Sequence, residues 1–93
     1  MMEPYNPALH IYNWMMSDYP LYLRFQDFIA YIKRNPTHIQ SIAQTADGLA
    51  CDTAKKAIKL GDFEQQCWND ETRRLAGSLI LRLAEEESGV TIK

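Results

Sequence analysis

The stretch THIQSIAQTADGLACDTAKKAIKLG, Thr37 to Gly61, decides how the rest of the chain is read. Thr37 followed by Gln40 fits a capping box, in which the two side chains satisfy orphan amides at a helix start. Ile39, Ile42, Ala43 and Ala46 recur at helical spacing and give one apolar face. Asp47-Gly48 is a turn dipeptide, because glycine takes positive φ without steric cost. Asp52 is placed to cap a second helix. Ala54, Ala57 and Ile58 would form the buried side of that helix, and Gly61 its left-handed C-cap. Lys55, Lys56 and Lys59 then point outward together. The expectation is two short helices joined by a tight turn, a helix-turn-helix over residues 37–61.

From Gly48 to Gly61 the order glycine, apolar residue, then Thr-Ala-Lys-Lys-Ala-Ile-Lys-Leu-Gly resembles the turn and recognition helix of phage Cro and repressor-type proteins. Asp52 to Ile58 is also similar to the recognition helix of bacterial winged-helix regulators. In this resemblance Ala43 matches the small residue of the first helix, Gly48 the turn glycine and Ala54 an apolar residue that is usually branched. The spacing from Ala43 to Gly48 is one residue longer than the family pattern. The resemblance covers roughly a quarter of the chain. It implies a small DNA-binding transcriptional regulator, from a phage or other mobile element, acting on double-stranded DNA as a homodimer. Lys55, Lys56 and Lys59 would contact phosphates, with Thr53 or Asp52 near the groove. Lys33 and Arg34 would reach a phosphate beside the motif. Phosphate contacts position a protein, whereas base contacts specify sequence, and the short side chains Ala50, Thr53 and Ala54 offer few base readers.

Charge supports a local footprint rather than a global one. The 93 residues carry a formal net charge of −2. Residues 33–61 hold five basic side chains against Asp47 and Asp52, whereas the segments on either side are acidic. A basic patch confined to the motif is what phosphate contact requires. Two copies in a dimer would enlarge it.

The remaining composition bounds the fold. A chain of 93 residues makes one domain with a single modest core. Hydrophobic residues at 46% and charged residues at 24% fit a globular protein. Asn6-Pro7 starts a first helix carrying Ala8, Leu9, Ile11, Tyr12, Met15 and Met16. Ser17 to Pro20 restarts a second, in which Leu21, Phe25, Phe28, Ile29 and Ile32 recur at helical spacing until Asn35-Pro36. Asp62 and Gln65 suggest another capping box around Phe63. A phase change near Asn69-Asp70 begins a last helix, Asp70 to Ser88, closed by Gly89, with Arg82–Glu86 as an i,i+4 pair. The expected fold is therefore all-α, a bundle of about five helices including the helix-turn-helix pair. Gly77 and Leu81 are candidates for a dimer contact.

No metal template is visible: Cys51, Cys67, His10 and His38 lack ligand spacing. Neither a glycine-rich phosphate loop nor a nucleophile–base grouping is suggested, so no cofactor and no enzymatic activity are expected. Two buried thiols fit a reducing compartment, with a Cys51–Cys67 disulfide as the alternative the sequence leaves open. The start MMEPYNP lacks a basic region and an apolar run, and no stretch approaches the length of a membrane span. A cytoplasmic location is expected. The alternative function is a protein-binding adaptor, inhibitor or antitoxin-like module, working through the acidic end Glu85–Glu87 or the aromatic first helix.

Overall fold

In the computed structural model, which describes residues 4–91, the chain is all-helical. Four α-helices form it: α1 (Pro7–Ser17), α2 (Tyr19–Arg34), α3 (Ile39–Lys59) and α4 (Asp70–Ser88), with a single 3-10 turn at Gln65–Cys67. No strand occurs among the described residues.

The helix ends follow local chemistry. The Asn6 side chain accepts the Leu9 amide at 3.2 Å, and Pro7 fills the first helical position. Asp18 both ends α1 and begins α2. Its amide donates to the Trp14 carbonyl at 3.1 Å, while its carboxylate accepts the Leu21 amide at 3.3 Å and the Lys56 ammonium at 2.9 Å. Asn69 caps α4 by accepting the Thr72 amide at 2.9 Å, and Gly89 closes it at φ 73°. Gly61, at φ 79°, ends α3. Its amide donates to Ile58 and the Asp62 amide donates to Ala57, which satisfies two terminal carbonyls.

Asp18 combines a cap with an ion pair, and the two are separable. Asp18→Ala is expected to cost about 1–2 kcal/mol, chiefly through the lost cap. Lys56→Ala should cost under about 1 kcal/mol, because the Lys56 side chain is 41% exposed and its pair is screened. Thermal unfolding of the two variants side by side checks the order.

The expected helix-turn-helix is not formed. Residues 39–59 make one helix of 21 residues that runs straight through Asp47-Gly48. Ile42, Ala46, Leu49, Ala50, Thr53 and Ala57 form an unbroken buried stripe across the supposed turn. A mid-helix glycine costs about 1 kcal/mol relative to alanine. Burying Leu49 alone returns about 1.5–3 kcal/mol, so the stripe overrides the turn dipeptide. The five expected helices become four because the expected pair is this one helix; the segment after Phe63 forms only a 3-10 turn, Gln65–Cys67. Neither the Thr37–Gln40 nor the Asp62–Gln65 capping box forms. His38 stands at the α3 start and Glu64 at the 3-10 start, each without a side-chain cap bond. The expected Arg82–Glu86 pair is likewise absent among the described residues.

Helix α4 packs against all three other helices. Its inward stripe is Thr72, Ala76, Ile80 and Ala84, so small side chains surround one large one. Gly77 lies over the Asp47 backbone, where an added Cβ would sit 3.8 Å from the Asp47 Cα, and Leu81 packs against the core. Gly77 thus serves the α3–α4 contact, and both residues stay half-buried. Phe25, Ile11, Met15, Ile32, Ile42 and Leu49 complete the centre.

Candidate functional site

The residues expected to contact DNA do not converge. Helices α2 and α3 run antiparallel and are bridged at three levels. Lys56 meets Asp18 and Arg24 meets Asp52, each at 2.9 Å, and the Tyr31 hydroxyl donates to Ser41 at 2.9 Å. That register puts Lys55, Lys56 and Lys59 beside the start of α2 and Lys33 with Arg34 at its far end. Asp18 and Lys33 are about 22 Å apart along the helix at 1.5 Å per residue.

Thr53 is fully buried, and its hydroxyl donates to the Leu49 carbonyl at 2.7 Å within the same helix. It faces the core and is closed to a ligand. Lys56 is held by Asp18. Lys55 and Lys59 are exposed one turn apart, with no ionic partner among the described residues. The Arg24–Asp52 pair places a carboxylate close to this lysine end. The site expected from the sequence thus reduces to two adjacent solvated lysines.

Thr53→Val separates the readings. The valine keeps the volume and removes only a bond to a carbonyl already engaged in the helix, so stability should change by less than about 1 kcal/mol. Any affinity for duplex DNA should be unchanged, which a titration of both proteins by fluorescence anisotropy checks.

A different surface concentrates accessible apolar groups. A groove of about 800 Å³ lies between the segment Pro4–Pro7, α1 and α4. Tyr5, Leu9 and Leu75 line it and are 61%, 43% and 50% exposed. Pro4, Pro7, Asn6 and Asn13 complete its walls. An adjoining hollow continues along α4 past Ser78 and Leu79 to Arg82. The groove exists because α1 and α4, remote in sequence, lie side by side. Each helix buries one stripe in the core, and the seam keeps Leu9 of α1 and Leu75 with the half-buried Leu79 of α4.

His10 forms the other border of this surface. The Tyr5 hydroxyl lies 2.8 Å from its Nδ1, and its ring meets Phe63 edge to face at 5.4 Å. The sequence suggested no partner for this histidine. The contact anchors the residues before α1 onto the body of the fold. Cys67 opens onto the same side, and Cys51 lies on α3; both are free and half-buried. Burial, with Asp47 nearby, pushes the Cys51 thiol above its ordinary range, so it stays protonated and is a poor nucleophile at neutral pH. Among the described residues no cluster of three His, Cys, Asp or Glu side chains is arranged for a metal, and no helix is long and apolar enough to cross a membrane.

The Tyr31–Ser41–His38 grouping is the remaining polar cluster. The Tyr31 hydroxyl reaches Ser41 at 2.9 Å and lies 3.3 Å from His38 Nδ1. It ties the end of α2 to the uncapped start of α3, and Ser41 is exposed with its oxygen already in that contact. The surface that gathers accessible apolar side chains is the α1–α4 groove, and the chain carrying it matches no known family model, no curated protein and no solved structure.

Proposed function

We propose that the chain is a non-catalytic protein-binding module whose docking face is the groove between Tyr5, Leu9 and Leu75. The supporting observation is the grouping of these three apolar side chains in one continuous depression. Isolated exposed leucines are ordinary, whereas a grouped and concave set is where polypeptides bury apolar surface. The reading takes the chain to act in the cytoplasm, where free thiols such as Cys51 and Cys67 stay reduced.

Site-specific photo-crosslinking tests it. A photoreactive phenylalanine analogue at Leu75 should yield polypeptide adducts in nuclease-treated extract. The same group at Ala30, on the exposed side of α2, should yield none. Equal yields at both positions, or none at Leu75, would sink the proposal.

DNA contact is the second reading, favoured by one observation: Lys55 and Lys59 are exposed a turn apart and carry no ionic partner among the described residues. It needs no helix-turn-helix, only phosphate attraction. Two phosphate contacts give a salt slope of roughly −2. Anisotropy with mixed-sequence duplex at about 50 and 200 mM salt should show a weak signal, lost in Lys55→Ala/Lys59→Ala. A signal indifferent to that double substitution removes these lysines from any DNA interface.

A further inference from the structure

We infer that the occupant of this face is a second copy of the chain, docked with its α4 antiparallel to the first. The inference rests on the protein-binding reading above and names its partner. Glu71, Leu75, Ser78 and Arg82 are all exposed, and their spacings of four, three and four residues set them on one stripe of α4. Glu71 and Arg82 stand three turns apart, about 16.5 Å at 1.5 Å per residue. Neither has an ionic partner among the described residues, whose ion pairs are Arg24–Asp52, Lys56–Asp18 and Arg73–Asp47. Arg82 leaves even Glu86, one turn away on its own helix, unpaired.

Between Glu71 and Arg82 the stripe is uncharged, with Arg74 on its flank and Glu85 one turn beyond Arg82; the Glu71 and Arg82 charges are self-complementary in one orientation only. A two-fold axis crossing α4 between Ala76 and Gly77 places Glu71 opposite Arg82 of the second copy, and Arg82 opposite its Glu71. Leu75 then faces Ser78 of the second copy. Serine is small enough to let the helices approach to the usual 8–10 Å and the two leucines to meet at the axis. Leu9, beside Leu75 in the groove, extends the apolar contact. A parallel pairing would oppose Glu71 to Glu71 and Arg82 to Arg82. The antiparallel arrangement closes on itself, as a two-fold interface does. The apolar patch is small, so the expected dimer is weak and reversible.

Sedimentation equilibrium of the full chain, between about 1 µM and 1 mM, tests the pairing. The wild-type chain should self-associate. Glu71→Arg and Arg82→Glu should each weaken association by roughly tenfold or more, since two attractions become two repulsions. An equimolar mixture of these two single variants should form a one-to-one heterodimer, because each then offers the charge the other lacks. The double variant should recover the wild-type behaviour. Leu75→Ser, which leaves both charges in place, should weaken association as well, and circular dichroism melts check that every variant stays helical. A monomer throughout the range, or a dimer indifferent to both charges, would overturn the inference. In that event the Leu75 crosslink still decides the broader reading: adducts to a different polypeptide keep it, and no adducts end it.

Discussion

Replacing Gly48 with alanine is expected to stabilise the protein by about 0.5–1 kcal/mol, and with proline to destabilise it by about 3 kcal/mol or more. Gly48 lies in the interior of α3 with an ordinary helical backbone; the glycines at positive φ are Gly61 and Gly89. A Cβ built at Gly48 meets nothing within 4 Å, so alanine fits and reduces the freedom of the unfolded chain. Proline would remove the amide of the turn and push its ring against the Gln44 carbonyl. Alanine is the more discriminating of the two. In a helix-turn-helix the same glycine would hold a positive φ, and alanine would be strained there. Urea unfolding with linear extrapolation reads both signs. A Gly48→Ala variant less stable than wild type would show that α3 is broken at this point.

Ile80→Ala is expected to cost about 2–5 kcal/mol, a large share of the 5–15 kcal/mol typical of a small domain. Ile80 is fully buried on α4, which packs against each of the other three helices. Its neighbours on the inward stripe, Ala76 and Ala84, are also fully buried and have no side-chain length with which to fill a void. The cavity therefore stays open. The converse substitution, Ala76→Leu, should cost about 1–3 kcal/mol by overpacking the same seam. At 4–8 °C per kcal/mol for a domain of this size, Ile80→Ala should lower Tm by at least about 8 °C. Calorimetry measures it, and a change under 2 °C would contradict the packing.

The helix ends that sequence chemistry marks well are those decided by a residue and its immediate neighbours. Asn6-Pro7, Asn35-Pro36 and the Asn69 to Gly89 span fall where capping chemistry puts them. Asp47-Gly48 is the counterexample. Its turn preference is local and worth about 1 kcal/mol, whereas the stripe from Ile42 to Ala57 draws on burial against three other helices. That stripe keeps its phase through Gly48, a signal present in the sequence and outranked there by the dipeptide. Lys55, Lys56 and Lys59 lie in the C-terminal half of the continuous α3, not on a separate second helix, and Thr53 faces the core there. The groove was not legible, because it depends on the lateral approach of α1 and α4. Nothing in Leu9 or Leu75 announces the other.

That α4 touches every other helix sets an order of events during synthesis. Helices form in about a microsecond once their residues are free. The 29 residues from the end of α3 to the end of α4 take roughly 1.5–6 s to add at 5–20 residues per second. Throughout that interval α1, α2 and α3 lack the helix against which all three pack. The nascent chain holds formed helices with an open centre for about a million times longer than a helix needs to form, and α4, made after the other three, is the one that shuts it.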